Sequence, residues 1–190
     1  MFGLADHSQM LLWLLLPIAG WCATGDVATI AGLAATTEKW SGGVAVGTKV
    51  YGIPHNSETG LIVDTLTNTV NTAAITGLSG STKWRGGVLV GTKIYAMPFT
   101  ATEVLIIDTT TDTADTSTIT GLSGGSKWFG GVAMGTKVYG IPFVADEVLI
   151  IDTTTDTADS STITGLTGGG WSITQSVWAA KACWHKLPLV

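Results

Sequence analysis

An all-β fold assembled from repeated four-stranded antiparallel units is what this sequence predicts, and three observations carry the reading. The same landmarks return every 44 residues: Trp40, Trp84 and Trp128 each follow a lysine and, one residue on, a glycine pair. The 190 residues include 31 Thr and 25 Gly, a strand former and a turn former, against only 12% charged residues. Nothing within a unit has the 3.6-residue apolar period that marks a helix.

Each element of a unit has a local reason. The first strand is expected at residues 43–46, where Val44 and Val46 share a face by the two-residue period, and Gly47-Thr48 then turns the chain tightly. The second runs over residues 49–53 and ends at Pro54, which has no amide hydrogen to give a central ladder. The third, clearest as Val104-Leu105-Ile106-Ile107, is apolar at every position, so it is expected to be covered on both faces. Asp108 and Thr109-Thr110-Thr111-Asp112-Thr113 supply turn chemistry, and residues 116–120 alternate as an expected solvent-facing fourth strand. The unit closes on I-T-G-L at 75–78, 119–122 and 163–166. Residues 103–122 and 147–166 differ only at Thr116 against Ser160, the mark of a recent duplication.

Four antiparallel strands in about 40 to 50 residues is the size of one propeller blade, and stacking blades around an axis buries both faces of each sheet. The predicted architecture is therefore a partial β-propeller of about three complete units plus fragments at both ends. The order of features, G-G-V-A-M-G-T-K-V-Y-G-I-P at 130–142 followed by V-L-I-I-D-T-T-T-D-T at 148–157, resembles the kelch repeat family, and the likeness spans about residues 39–166. In that family the glycine pair follows the Tyr-bearing strand and the Trp follows the Asp-Thr turn. Here the glycine pair precedes the first strand and the Trp opens the unit.

The boundaries predicted on this basis are a leader at 1–23, a partial blade at 24–38, repeats at 39–82, 83–126 and 127–170, and a diverged tail at 171–190. Residues 11–19 form an apolar core of signal-peptide length followed by small residues, which makes secretion one expectation; residues 1–10 carry Asp6 and no Lys or Arg, which counts against it, and a misassigned start is the other reading. The core is too short for a stable membrane span. Residues 27–33 resemble a fourth-strand ending, and Gly168-Gly169-Gly170-Trp171 resembles the opening of another unit, after which the pattern stops. Propellers close with roughly 4 to 8 blades. A truncated gene model, self-association to complete a ring, an open arc and a diverged cap all remain open.

Several kinds of chemistry find no support. The formal net charge of -5 offers no basic face to phosphates, so nucleic acid is excluded as a partner. His7, His55 and His185 are scattered without metal-ligand spacing, and Cys22 and Cys183 lie outside the repeats, read as two unpaired thiols rather than a disulfide. The glycine pairs precede no helix and no G-K-[ST], so they are turns rather than a phosphate loop. Asp108, Asp112 and Asp115, with their copies Asp152, Asp156 and Asp159, are spaced as a turn rather than as a calcium loop or a catalytic pair. Tyr51, Tyr95 and Tyr139 recur at one phase, as packing residues do, with each hydroxyl expected on a backbone partner. No catalytic residue, cofactor or metal is expected.

Candidate recognition residues come from where the units differ, because packing asks for the same residue in each blade and a binding rim does not. The connection after the second strand varies most, with His55, Asn56 and Glu58 in the first unit, Phe99 and Glu103 in the second, and Phe143, Asp146 and Glu147 in the third. The position after the Trp also varies, as Ser41, Arg85 and Phe129. Rim loops on a rigid ring are a common place for recognition. The leading expectation is a non-catalytic module for protein interaction or scaffolding; the alternative is an extracellular carbohydrate or ligand binder using the Thr-rich strands.

Overall fold

The computed structural model describes Leu33 and residues 37–166. The leader, most of the partial blade, the tail, both cysteines, His7 and His185 fall outside the described residues.

The 44-residue period becomes three four-stranded antiparallel sheets, each a simple meander. The first holds β1 (Trp40–Val46), β2 (Lys49–Pro54), β3 (Leu61–Asp64) and β4 (Thr69–Asn71). The second holds β5 (Trp84–Val90), β6 (Lys93–Pro98), β7 (Leu105–Asp108) and β8 (Thr113–Asp115). The third holds β9 (Trp128–Met134), β10 (Lys137–Pro142), β11 (Leu149–Asp152) and β12 (Thr157–Asp159). The first strands β1, β5 and β9 pack side by side. The described residues thus form an all-β partial β-propeller of three blades.

The second and third strands fall within one residue of expectation, and the first and fourth differ by more. The first strand starts at the Trp, three residues early, and carries a bulge between Trp84 and Gly87 and at the equivalent places. The bulge admits the glycine pair: Gly86 has φ of 66°, and a Cβ there would stand 2.9 Å from Gly130 Cα in the next blade. Side chains are excluded where the inner strands meet. The fourth strand is residues 113–115 rather than 116–120. Asp115 ends it by accepting the amides of Ser117 and Thr118, at 2.7 and 3.2 Å, which bends the chain out of the ladder.

Apolar side chains fill the two gaps between blades. Val44, Tyr51, Ile53, Ile62 and Ile75 of blade one meet Trp84, Ile94, Leu105 and Ile107 of blade two. Across the second gap Tyr95, Met97, Ile106 and Ile119 meet Trp128, Val138, Leu149 and Ile151. The expected two-sided burial of the third strand holds fully in blade two, where Val104 to Ile107 are all buried because blades flank both faces.

Candidate functional site

The lysine before each Trp organises one end of the blades. Lys83 is buried, and its ammonium donates to the carbonyls of His55, Ser57 and Gly80 at 3.1, 2.9 and 2.7 Å. Lys127 repeats the cage with Phe99, Ala101 and Gly124. Burial pulls both lysine pKa values down, with Glu58 and Glu103 respectively pulling the other way. A caged ammonium ties the loop of one blade to the first strand of the next.

The backbone runs a relay through the same place. His55 N–H donates to Lys39 O, Lys83 N–H to His55 O, Phe99 N–H to Lys83 O, Lys127 N–H to Phe99 O and Phe143 N–H to Lys127 O, all within 2.7 to 3.0 Å. Residues 55, 99 and 143 are thereby set in a row. His55 and Phe99 have ring centroids 6.2 Å apart, and Phe99 and Phe143 5.7 Å apart. Phe129 sits 6.4 Å from Phe99 and 6.0 Å from Phe143.

Arg85 lies over this row. Its guanidinium is 4.4 Å from the Phe99 ring centre and 5.1 Å from that of Phe129, a cation held against two aromatic faces. His55 is buried, and burial lowers its pKa, which favours the neutral ring. Its Nδ1 lies 3.2 Å from the Trp84 carbonyl, which can only accept, so Nδ1 carries the proton and Nε2 accepts from Arg85 Nη2 at 3.3 Å. Glu38 lies 3.6 Å from the same Nε2 and is exposed. Arg85 Nε is buried with no hydrogen-bond partner.

Five of the ten candidate rim residues thus converge: His55, Arg85, Phe99, Phe129 and Phe143. The other five serve differently. Asn56 links the connecting segments around the first blade by accepting the Thr82 amide at 2.8 Å and donating to Thr37 O at 3.3 Å. Glu103 and Glu147 offer their carbonyls to the indole N–H of Trp84 and Trp128, at 2.8 and 2.9 Å. Glu58 and Asp146 accept the amides of Leu78 and Leu166 through their carbonyls. Glu38 joins the cluster without having been singled out: a first unit that opens at residue 39 leaves it outside, so the variation from Glu38 to Thr82 and Ser126 at this position was not weighed.

A second set of polar side chains spans the blade gaps, and sequence reasoning placed its members separately. Tyr51 O–H donates to Asp112 Oδ1 at 2.5 Å, and Lys49 Nζ to Asp112 Oδ2 at 2.6 Å, across the first gap. Tyr95 and Lys93 hold Asp156 across the second in the same way. The tyrosine hydroxyl therefore finds a neighbouring blade's carboxylate ahead of a backbone oxygen; Tyr51 reaches Thr109 O only at 3.3 Å. Burial raises the Asp112 and Asp156 carboxyls, and the Lys and Tyr hydrogen bonds outweigh it, leaving both below the ordinary range. Among the described residues no three His, Cys, Asp or Glu side chains gather as a metal would need, and no helix is long and apolar enough to cross a membrane.

Comparison with known proteins places the fold and stops there. No protein-family model and no curated protein matches the chain. Among solved structures it is similar to Kuenenia stuttgartiensis hydrazine synthase, with 13% identity and a TM-score of 0.51 over 74% of this chain and 41% of that one. It is also similar to the computationally designed Ika4 protein, with 8% identity and a TM-score of 0.51 over 72% of this chain and 81% of that one. Myxococcus xanthus glutaminyl cyclase matches at 12% identity and a TM-score of 0.42, over 77% and 58% of the two chains. The chain spans about two fifths of the hydrazine synthase chain it matches.

Proposed function

We propose that this chain is a kelch-like propeller repeat module that mediates protein-protein interaction or scaffolding, without catalysis of its own. The observation that carries the proposal is the convergence of His55, Arg85, Phe99, Phe129 and Phe143 at one end of the blades. These are positions where the repeats differ, and Arg with aromatic residues is the composition enriched at the energetic centres of interfaces. Arg85, Phe129 and Phe143 are half-buried, on a base formed by buried His55 and Phe99. The Thr-rich segments favour the carbohydrate reading less, because Thr109 donates to Thr92 O, Thr110 to Asp108, and Thr111 shares a hydrogen bond with Thr113.

The test is quantitative affinity capture with the wild type, an Arg85→Ala/Phe143→Ala double variant, and a Thr109→Val/Thr111→Val/Thr113→Val triple variant. The rim double variant is expected to lose its protein partners by about tenfold or more, as hot-spot truncations do, and the threonine variant to keep them. Wild-type capture by the rim variant would remove the proposal. Glycan-array binding that disappears in the threonine variant would put the carbohydrate reading in its place.

A further inference from the structure

The far face of blade three is built like the two faces that other blades cover, and among the described residues nothing covers it to the same degree. Val132, Met134, Ile141 and Ile163 are 58%, 74%, 44% and 41% exposed. Their counterparts in blade two include Met97 and Ile119, and in blade one Val44, Ile53 and Ile75, all buried. Gly130, the counterpart of Gly42 and Gly86, has open space where those two abut the next inner strand. The polar clamp is open as well. Lys137 and Tyr139 stand where Lys93 and Tyr95 hold Asp156, and neither makes a side-chain hydrogen bond to a described residue.

Blade one presents the reciprocal face. Trp40, Val50, Leu61 and Val63 are half-buried, whereas their counterparts Trp84, Ile94, Leu105 and Ile107 are fully enclosed by the preceding blade. Where blades two and three carry Asp112 and Asp156 in a left-handed conformation, blade one carries Asn68 with φ of 53°. An asparagine oxygen can accept from both Tyr139 and Lys137, though without the ionic contribution. Pairing two blade-three faces would set Lys137 against Lys137, which favours unlike faces.

We propose that the blade-three face receives blade one of a second copy, head to tail, using the contacts that join the blades within one chain. Such an interface is heterologous and closes after two copies if the rotation allows, giving six blades, within the roughly 4 to 8 that propellers use.

Sedimentation velocity on the full chain, across a concentration series from micromolar to near-millimolar, reads the outcome. The wild-type mass is expected to rise from one copy toward two. Met134→Asp and Ile141→Asp, at positions exposed in the single copy, are expected to stay at one copy, with folding checked by circular dichroism. Asn68→Asp restores the carboxylate and is expected to move the midpoint about threefold to tenfold lower in concentration, a gain that Lys137→Ala cancels. A single-copy mass for both wild type and Asn68→Asp throughout the series overturns the proposal, as does association that Met134→Asp and Ile141→Asp leave unchanged.

Discussion

Trp128 shows how much one side chain does here. It is 1% exposed, lies among Met97, Ile106 and Leu149, and donates its indole N–H to Glu147 O at 2.9 Å. Trp128→Ala is expected to cost about 3 to 5 kcal/mol, as large core truncations do. Urea unfolding would measure it, and a cost within about 0.5 kcal/mol, typical of surface changes, would mean that the blade gap does not depend on this residue. The Trp was legible in the sequence through its period; the caged lysine beside it was not. A buried ammonium leaves no pattern distinct from that of a solvated one, because its three acceptors are carbonyls, which every residue has.

At the scale of strands and turns, the glycine pairs are the test of close approach. Gly86 and Gly91 both have positive φ, 66° and 61°, but only Gly86 faces another blade. Gly91→Ala should cost about 1 to 2 kcal/mol from the left-handed backbone alone, and Gly86→Ala at least about 1 kcal/mol more. Equal costs would mean that the inner strands do not constrain each other. The fourth strand was misplaced because alternation alone was weighed. Asp115 lies at the strand's end and captures the next two amides, so the alternating Thr118 and Thr120 never enter the ladder.

The turn and clamp carboxyls also set the response to pH. Asp115 is held down to about 2 by the Thr118 hydroxyl and the Ser117 amide, and Asp159 likewise by Thr162 and Ser161. A carboxyl with a depressed folded pKa stabilises fully above its unfolded value, and that stabilisation fades as pH falls from about 4 toward about 2. Tyr51 and Tyr95 are raised, first by burial and then by the hydrogen bonds to Asp112 and Asp156. Their contribution is complete below pH of about 10 and is lost as pH climbs beyond it, since the unfolded chain gives up those protons first. Urea midpoints across pH should therefore form a plateau with two falling limbs, and Tyr51→Phe should flatten the alkaline one. A profile level from pH 5 to 2 would contradict the carboxyl assignments.

For the whole molecule, each blade is a local meander, and the blades are joined by contacts about one unit further along the chain, such as Lys49 with Asp112. The meanders were readable because their punctuation is local. The joints were not, since a Lys-x-Tyr in one unit and an Asp in the next become partners only when the sheets are stacked. The rim was half legible. Variation between units pointed to His55, Arg85, Phe99, Phe129 and Phe143, but it equally pointed to Asn56, Glu58, Glu103, Asp146 and Glu147, which sit on the same loops and contribute mainly connections between chain segments.

The hydrogen-bond relay through residues 39, 55, 83, 99, 127 and 143 uses only main-chain atoms. It fixes where the three loop positions stand without specifying which side chains they carry. Inheritance can therefore exchange His for Phe there, or Ser for Arg beside the bulge, while leaving the frame untouched. The frame is written in the main chain, and the side chains at these positions are a second text laid over it.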